Sequence, residues 1–187
     1  MIPYAEALSL LVEGNRLYQE SVQNPAELTH EIRVAHAENG QLPFAVVIAC
    51  ADSRVPVEHM FSAGIGDLFV VRNAGNVITE IEAGSAEYAA DHLGTQLIVL
   101  MGHTGCGAVH STLTGHATGN IRFITDRIAL AIGEERDARR AEWLNVEEGV
   151  NALRRSHVLE RLTAQGRLKI VGAMYDIKTG HVSFAGE

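Results

Sequence analysis

Two cysteines and one histidine are placed where they can do chemistry together. Cys50 and Cys106 are the only cysteines in the 187 residues, and of nine histidines only His103 and His110 lie within four positions of either. Cys50 directly follows the apolar run Phe44-Ala45-Val46-Val47-Ile48-Ala49. His103 follows Leu97-Ile98-Val99-Leu100-Met101 with only Gly102 between, and Cys106 comes three residues on, in His103-Thr104-Gly105-Cys106-Gly107. Two thiolates and an imidazole suit a borderline-soft ion, for which tetrahedral zinc is the usual choice. Three protein donors leave one position open, as a catalytic zinc requires; His110, on the same helix face if a helix begins there, is the nearest alternative fourth ligand. A disulfide between the two cysteines is the other reading. It needs an oxidising compartment, for which the sequence offers no sign.

Asp52 and Arg54 extend the first cluster, in Cys50-Ala51-Asp52-Ser53-Arg54. An acid and a base this close in a loop are usually solvated or paired. Beside a metal ligand the choice sharpens: Asp52 either binds the ion, or is held back by a bidentate Arg54 and accepts a hydrogen bond from zinc-bound hydroxide.

Elements must deliver these side chains to one point. The apolar runs are too short for helices and rich in β-branched residues, so they read as buried strands, as does Leu68-Phe69-Val70-Val71. Tyr4 to about Gln19 has the spacing of an amphipathic helix, and a polar stretch follows from Ser21 to Gln41. Glu80 to Leu93 reads as a helix ended by Gly94. Helical composition then runs from Gly107 to about Gln165, broken at Gly115, Gly119 and Gly133. A last strand, Leu168 to Met174, and a hairpin through Lys178-Thr179-Gly180 close the chain. Strands alternating with helices predict an α/β fold with a parallel sheet covered on both faces, and ligands bind at the carboxyl edge of such sheets. No linker or repeat divides the chain, so residues 1–187 are expected to form one domain.

Composition excludes several function classes. Hydrophobic residues make up 47% and charged residues 20%, and no apolar run approaches the roughly 18 residues of a membrane span. The net charge of −8 with scattered Lys and Arg argues against a nucleic-acid partner. Met1 to Glu6 lacks the basic and apolar regions of a secretory signal, which makes the cytoplasm the expected compartment.

Cys50-x-Asp52-x-Arg54 followed by His103-x-x-Cys106 resembles the signature of the β-class carbonic anhydrases. The resemblance extends to Glu13-Gly14-Asn15 in the first helix, to Val70-Val71-Arg72-Asn73-Ala74-Gly75-Asn76, and to Val171 through Asp176 with Thr179-Gly180. It implies a mainly parallel sheet with one antiparallel edge strand, and an N-terminal helix reaching over a neighbour in a homodimer or homotetramer. It also implies active sites at that interface and Zn2+ on Cys50, His103 and Cys106. The implied reaction is the hydration of carbon dioxide by water to bicarbonate and a proton, with Asp52 orienting the hydroxide and Arg54 orienting Asp52.

Within the plant-like branch, Gln41 matches a substrate-binding Gln, and Phe69 and Tyr88 match an apolar substrate wall; as residues alone, the latter two read as ordinary core. Ala74 departs from a Val common in that pocket. An inhibitory bicarbonate site found in some members uses a Trp where this chain has Val47, so that regulation is not expected, although Arg72 and Tyr175 match its other residues. Two rivals share the scaffold: a carbonyl sulfide or carbon disulfide hydrolase, and a non-catalytic zinc protein whose shell Asp52 closes. The remaining histidines, including His59 and His92, carry no motif.

Overall fold

The computed structural model describes residues 1–21, 23–24 and 28–186. The apolar runs become strands β1 (Ala45–Cys50), β2 (Leu68–Asn73), β3 (Leu97–His103) and β4 (Lys169–Tyr175), followed by the short β5 (Val182–Phe184). They form one sheet in the order β2-β1-β3-β4-β5. The first four strands are parallel, and β5 runs antiparallel to β4 at the edge. This is the expected α/β class.

Side-chain alternation assigns the core. Val47 and Ala49 of β1, Val99 and Met101 of β3, and Ala173 and Tyr175 of β4 face one way, against Ala7 and Leu11 of helix α1 (Tyr4–Gln19) and Val57 and Met60 of the short α3 (Val57–Met60). Val46, Ile48, Ile98, Leu100 and Ile170 face the other way. There they meet α4 (Glu80–Glu87), α7 (Ala138–Arg154) and α8 (His157–Ala164) through Ala86, Val150, Leu153, Leu159 and Leu162. Each fully buried Val, Leu, Ile or Met among them contributes about 1.5–3 kcal/mol. A third cluster, with Val109 of α5 (Gly107–Thr114), Ile128 of α6 (Ile121–Ile132) and Ala141, includes both cysteines.

The structure departs from the periodicity in four places. Inside the polar stretch lies α2 (His30–Asn39), which buries no residue, so no apolar stripe announces it; it starts at Thr29, whose hydroxyl caps the Ile32 N–H. Residues 22 and 25–27 of that stretch lie outside the described residues. The helix expected to run to Leu93 is regular only to Glu87 and continues as a π-turn, Tyr88–His92. A break at Arg155 and Ser156 separates α7 from α8, with the Ser156 hydroxyl capping the Leu159 N–H. Finally, Cys50 and His103 are the terminal residues of their strands, where the sequence reading set them just beyond. Among the described residues no helix is long and apolar enough to cross a membrane.

Asn15 ties the first helix to two distant segments. Its amide donates to the carbonyls of Met60 (3.2 Å) and Gly180 (2.9 Å), and its oxygen accepts from the Val182 N–H (3.0 Å). The side chain is 3% exposed, so no water can replace these partners. Asn15→Ala is therefore expected to lower the unfolding free energy by about 1–3 kcal/mol, because it strands buried polar groups. Urea unfolding measures this; a loss within about 0.5 kcal/mol, as for a surface change, would contradict it.

Candidate metal centre

Neighbouring parallel strands end at the same edge, so β1 and β3 deliver Cys50 and His103 side by side. The chain then turns back through Gly105, which has a left-handed φ of 68°, and sets Cys106 at the N-cap of α5. The two sulfurs and an imidazole nitrogen all lie within 4.8 Å of one another, and all three residues are buried. His103 Nδ1 lies 3.1 Å from the Thr104 carbonyl, which only accepts; Nδ1 is therefore the donor, and in the neutral ring Nε2 carries the lone pair. Among the described residues, that buried Nε2 has no hydrogen-bond partner.

The sulfurs are electrostatically unequal. Donation from the Cys106 thiol pulls the Cys50 thiol down to about 4 against the opposing effect of burial, and the proton held in that bond pushes Cys106 up. Contact between the two sulfurs therefore favours one thiolate and opposes a second, and the thiol it lowers is that of Cys50. Its sulfur also accepts from the main-chain N–H groups of Asp52 (3.4 Å) and Gly75 (3.3 Å). A divalent ion that displaces the thiol proton would satisfy both thiolates and the orphaned imidazole nitrogen at once, so the donor set fits zinc.

Asp52 stands beside this cluster and outside it. Arg54 grips it through both carboxylate oxygens, Nε to Oδ1 at 2.9 Å and Nη2 to Oδ2 at 2.7 Å, and its main-chain N–H adds a third bond to Oδ1 at 2.9 Å. The guanidinium holds the carboxyl well below the usual carboxylate range. Oδ2 lies 3.9 Å from His103 Nε2. Arg54 also donates to the Gly105 carbonyl at 3.2 Å, which links the loops carrying the two cysteines.

Comparison with known proteins bears on this constellation. A family model described as carbonic anhydrase matches residues 45–182. Over 201 aligned residues the chain is 38% identical to "Carbonic anhydrase 2" of Mycobacterium tuberculosis (strain CDC 1551 / Oshkosh), covering 97% of this chain and 95% of that one. It also resembles a solved structure of a tetrameric β-carbonic anhydrase of Sordaria macrospora, with TM-score 0.74 and 27% identity over 98% of this chain and 96% of that one. The chain belongs to the β-carbonic anhydrase family. A Coccomyxa β-carbonic anhydrase is similar as well, with TM-score 0.73 and 28% identity over 95% of this chain and 86% of that one.

Other residues expected at a β-carbonic anhydrase site lie apart from the cluster within one chain. Phe69 pairs with Val46, four positions before Cys50, which puts its backbone about 13 Å down the strand. Tyr88 opens the π-turn, its ring 6.2 Å from that of Phe69 and 5.4 Å from that of His92. It is 47% exposed, so ordinary core does not describe it. Gln41 is exposed and precedes β1, whereas Cys50 ends that strand. His110 is exposed on α5 and is not a member of the donor cluster. Both cysteines are free.

Two supporting residues, Glu142 and Asn145, escaped the motif reading, and a third, Arg72, entered it only as a match to family positions, with no part in holding the Cys50 turn. Arg72 donates to the carbonyls of Cys50 (3.0 Å) and Asp52 (2.7 Å) and so pins the loop between them. Glu142 accepts from the N–H groups of Gly105 (2.7 Å) and Cys106 (3.2 Å), and Asn145 donates to the Gly75 carbonyl (2.8 Å). The signal for the last two was present: they are polar residues in the buried stripe of α7, among Ala141, Val146, Gly149, Val150 and Leu153.

Purified protein is expected to carry about one zinc per chain, and Cys106→Ser to lose most of it, because a neutral hydroxyl replaces a thiolate donor. Elemental analysis decides. Equal zinc in both proteins would rule out Cys106 as a ligand.

Proposed function

We propose that this β-carbonic anhydrase reversibly hydrates carbon dioxide to bicarbonate and a proton, with zinc held by Cys50, His103 and Cys106. The observation that carries this reading is the Asp52–Arg54 pair. A zinc protein closed by a fourth protein ligand would use the carboxylate nearest the donors, yet here that carboxylate is engaged at both oxygens by a bidentate guanidinium.

Zinc bound at such a site supplies a Lewis acid that lowers the pKa of water, though less strongly than a three-imidazole site at about 7, because two thiolates already cancel its charge. The chain's residues do the orienting. Asp52, kept ionised by Arg54, is acceptor-only; it takes the O–H of the attacking oxygen and turns a lone pair toward the carbon of the substrate. Arg54 would keep Asp52 from swinging onto a metal held there. His103, fixed by its Nδ1–H bond to Thr104, keeps one ring nitrogen aimed into the cluster.

A second copy completes the pocket in this reading. Gln41 and Phe69 lie at the opposite end of the strands from the donor cluster of their own chain, with the Tyr88 ring beside Phe69, and Tyr88 and Leu42, the residue after Gln41, are exposed apolar chains (47% and 72%) suited to an interface. In a two-fold dimer each copy would lend these residues to the other. The apolar wall suits an uncharged gas, and the Gln41 amide would donate to its oxygen. Carbonyl sulfide offers the same electrophilic carbon, and stopped-flow comparison of the two substrates separates the readings: faster turnover of carbonyl sulfide would overturn carbon dioxide as the substrate.

Three outcomes are expected. Arg54→Lys, which keeps the charge but not the fork, should reduce kcat/KM for hydration by about 10–100-fold. In the unsubstituted enzyme kcat/KM should rise from about pH 7 to 9, as expected where the titrating water lies above the three-imidazole value; a flat or falling profile contradicts the charge argument. Mixing Cys106→Ser chains with Gln41→Ala chains should recover activity, since the mixed dimer contains one site with metal ligands from one copy and Gln41 from the other. Activity no higher than the average of the separate variants would remove the second copy from the site.

A further inference from the structure

We propose that Glu142 and Asn145 of α7 are positioning residues that set the two sulfur donors from behind, each through the backbone of a different ligand-bearing turn. The proposal rests on the zinc-site reading above. The two side chains are three apart and so share one face of the helix, and both are nearly fully buried, at 4% and 5% exposed.

Glu142 acts on the second sulfur. One of its oxygens receives the N–H groups of both Gly105 and Cys106. These donors belong to the turn that returns the chain from His103 to the N-cap of α5, so the carboxylate fixes where the Cys106 Cα sits. Asn145 acts on the first. Its amide holds the Gly75 carbonyl, and the N–H of the same Gly75 donates to Cys50 Sγ at 3.3 Å. Gly75 has φ of 74°, and a Cβ there would meet Ala108 at 2.9 Å and Ile128 at 3.0 Å, so this turn is packed as well as hydrogen-bonded.

The chemistry of Glu142 argues against a role in stability alone. Its second oxygen is buried and has no hydrogen-bond partner among the described residues. A carboxylate in such surroundings is costly to desolvate, and an apolar side chain of similar size would serve packing better. What a carboxylate does that an apolar chain cannot is hold two adjacent main-chain N–H groups on one atom. Helix α7 is a sound base for this: Asp137 caps the Arg140 N–H, and buried Ala141, Val146, Val150 and Leu153 lock it to the sheet and its neighbours. Metal donors need placement within about 0.5 Å, which rigid elements provide better than loops.

The test uses the full-length protein loaded with zinc or cobalt. Glu142→Ala and Asn145→Ala are each expected to raise the zinc dissociation constant by about 10–100-fold in competition with a chromophoric chelator. Each should also shift the visible absorption bands of the cobalt-substituted protein, which report donor geometry and which loss of stability alone would not move. Glu147→Ala, an exposed residue of the same helix paired with Arg140, should change neither. If an alanine variant does not fold, Glu142→Gln and Asn145→Leu preserve shape while losing the charge and the donor, and both should move the same two readouts, Gln the less. Unsubstituted protein that takes up neither metal would defeat the zinc-site reading itself. If it binds both metals and the folded variants match it in affinity and spectrum, only the positioning role is overturned.

Discussion

Two sulfurs and an imidazole nitrogen held within 4.8 Å in a buried site set the terms for everything around them. Thiolates repel one another and are costly to desolvate, so they stay together only if a cation or a shared proton lies between them. The backbone must also forbid them to spread. The end of β1, the end of β3 and the N-cap of α5 do this, because each position is decided by pairing or helix geometry and not by a flexible loop. Placing the site at the carboxyl edge of a parallel sheet lets two adjacent strands contribute donor side chains without crossing the chain.

Around that centre the structure uses cations and main-chain amides to hold negative groups in place. Arg54 and Arg72 both touch the 50–54 loop, one through the Asp52 carboxylate and one through the Cys50 and Asp52 carbonyls. Arg54 reaches on to Gly105, so the loops bearing the two cysteines share one guanidinium. Arginine suits this because its rigid fork meets a carboxylate and a carbonyl in fixed directions, which a lysine cannot do. The result leaves Asp52 ionised and close to the donors but committed elsewhere.

How much was legible in the sequence depended on whether a residue declared its role locally. Buried strands announced themselves as short β-branched runs, and Cys50, Asp52, Arg54, His103 and Cys106 stood beside them at a recognisable spacing. Helix α2 did not, because it buries no residue and carries no apolar period. The π-turn at Tyr88–His92 was equally silent, since its composition continues that of α4. Boundaries slipped by one or two residues where a strand ran on into Cys50 or His103. Glu142 and Asn145 were visible only as polar residues out of phase with a helix stripe, a pattern that says something is satisfied there without saying what.

The sequence by itself determined the chemical kind of site: three soft or borderline donors, an acid and its base, each tied to the end of an apolar strand, in a pattern that belongs to the β-carbonic anhydrases. Donor type and local spacing are one-dimensional properties, and they survive being read along the chain. Tertiary structure alone decided that Asp52 lies with Arg54 and outside the donor cluster, that α7 reaches both cysteine turns from behind, and that Phe69, with the Tyr88 ring beside it, falls at the far end of the strands from the donor cluster of its own chain. Those facts depend on strand register, helix packing and the rise of about 3.3 Å per residue along a strand, and they bring together residues tens of positions apart whose relation no local pattern encodes.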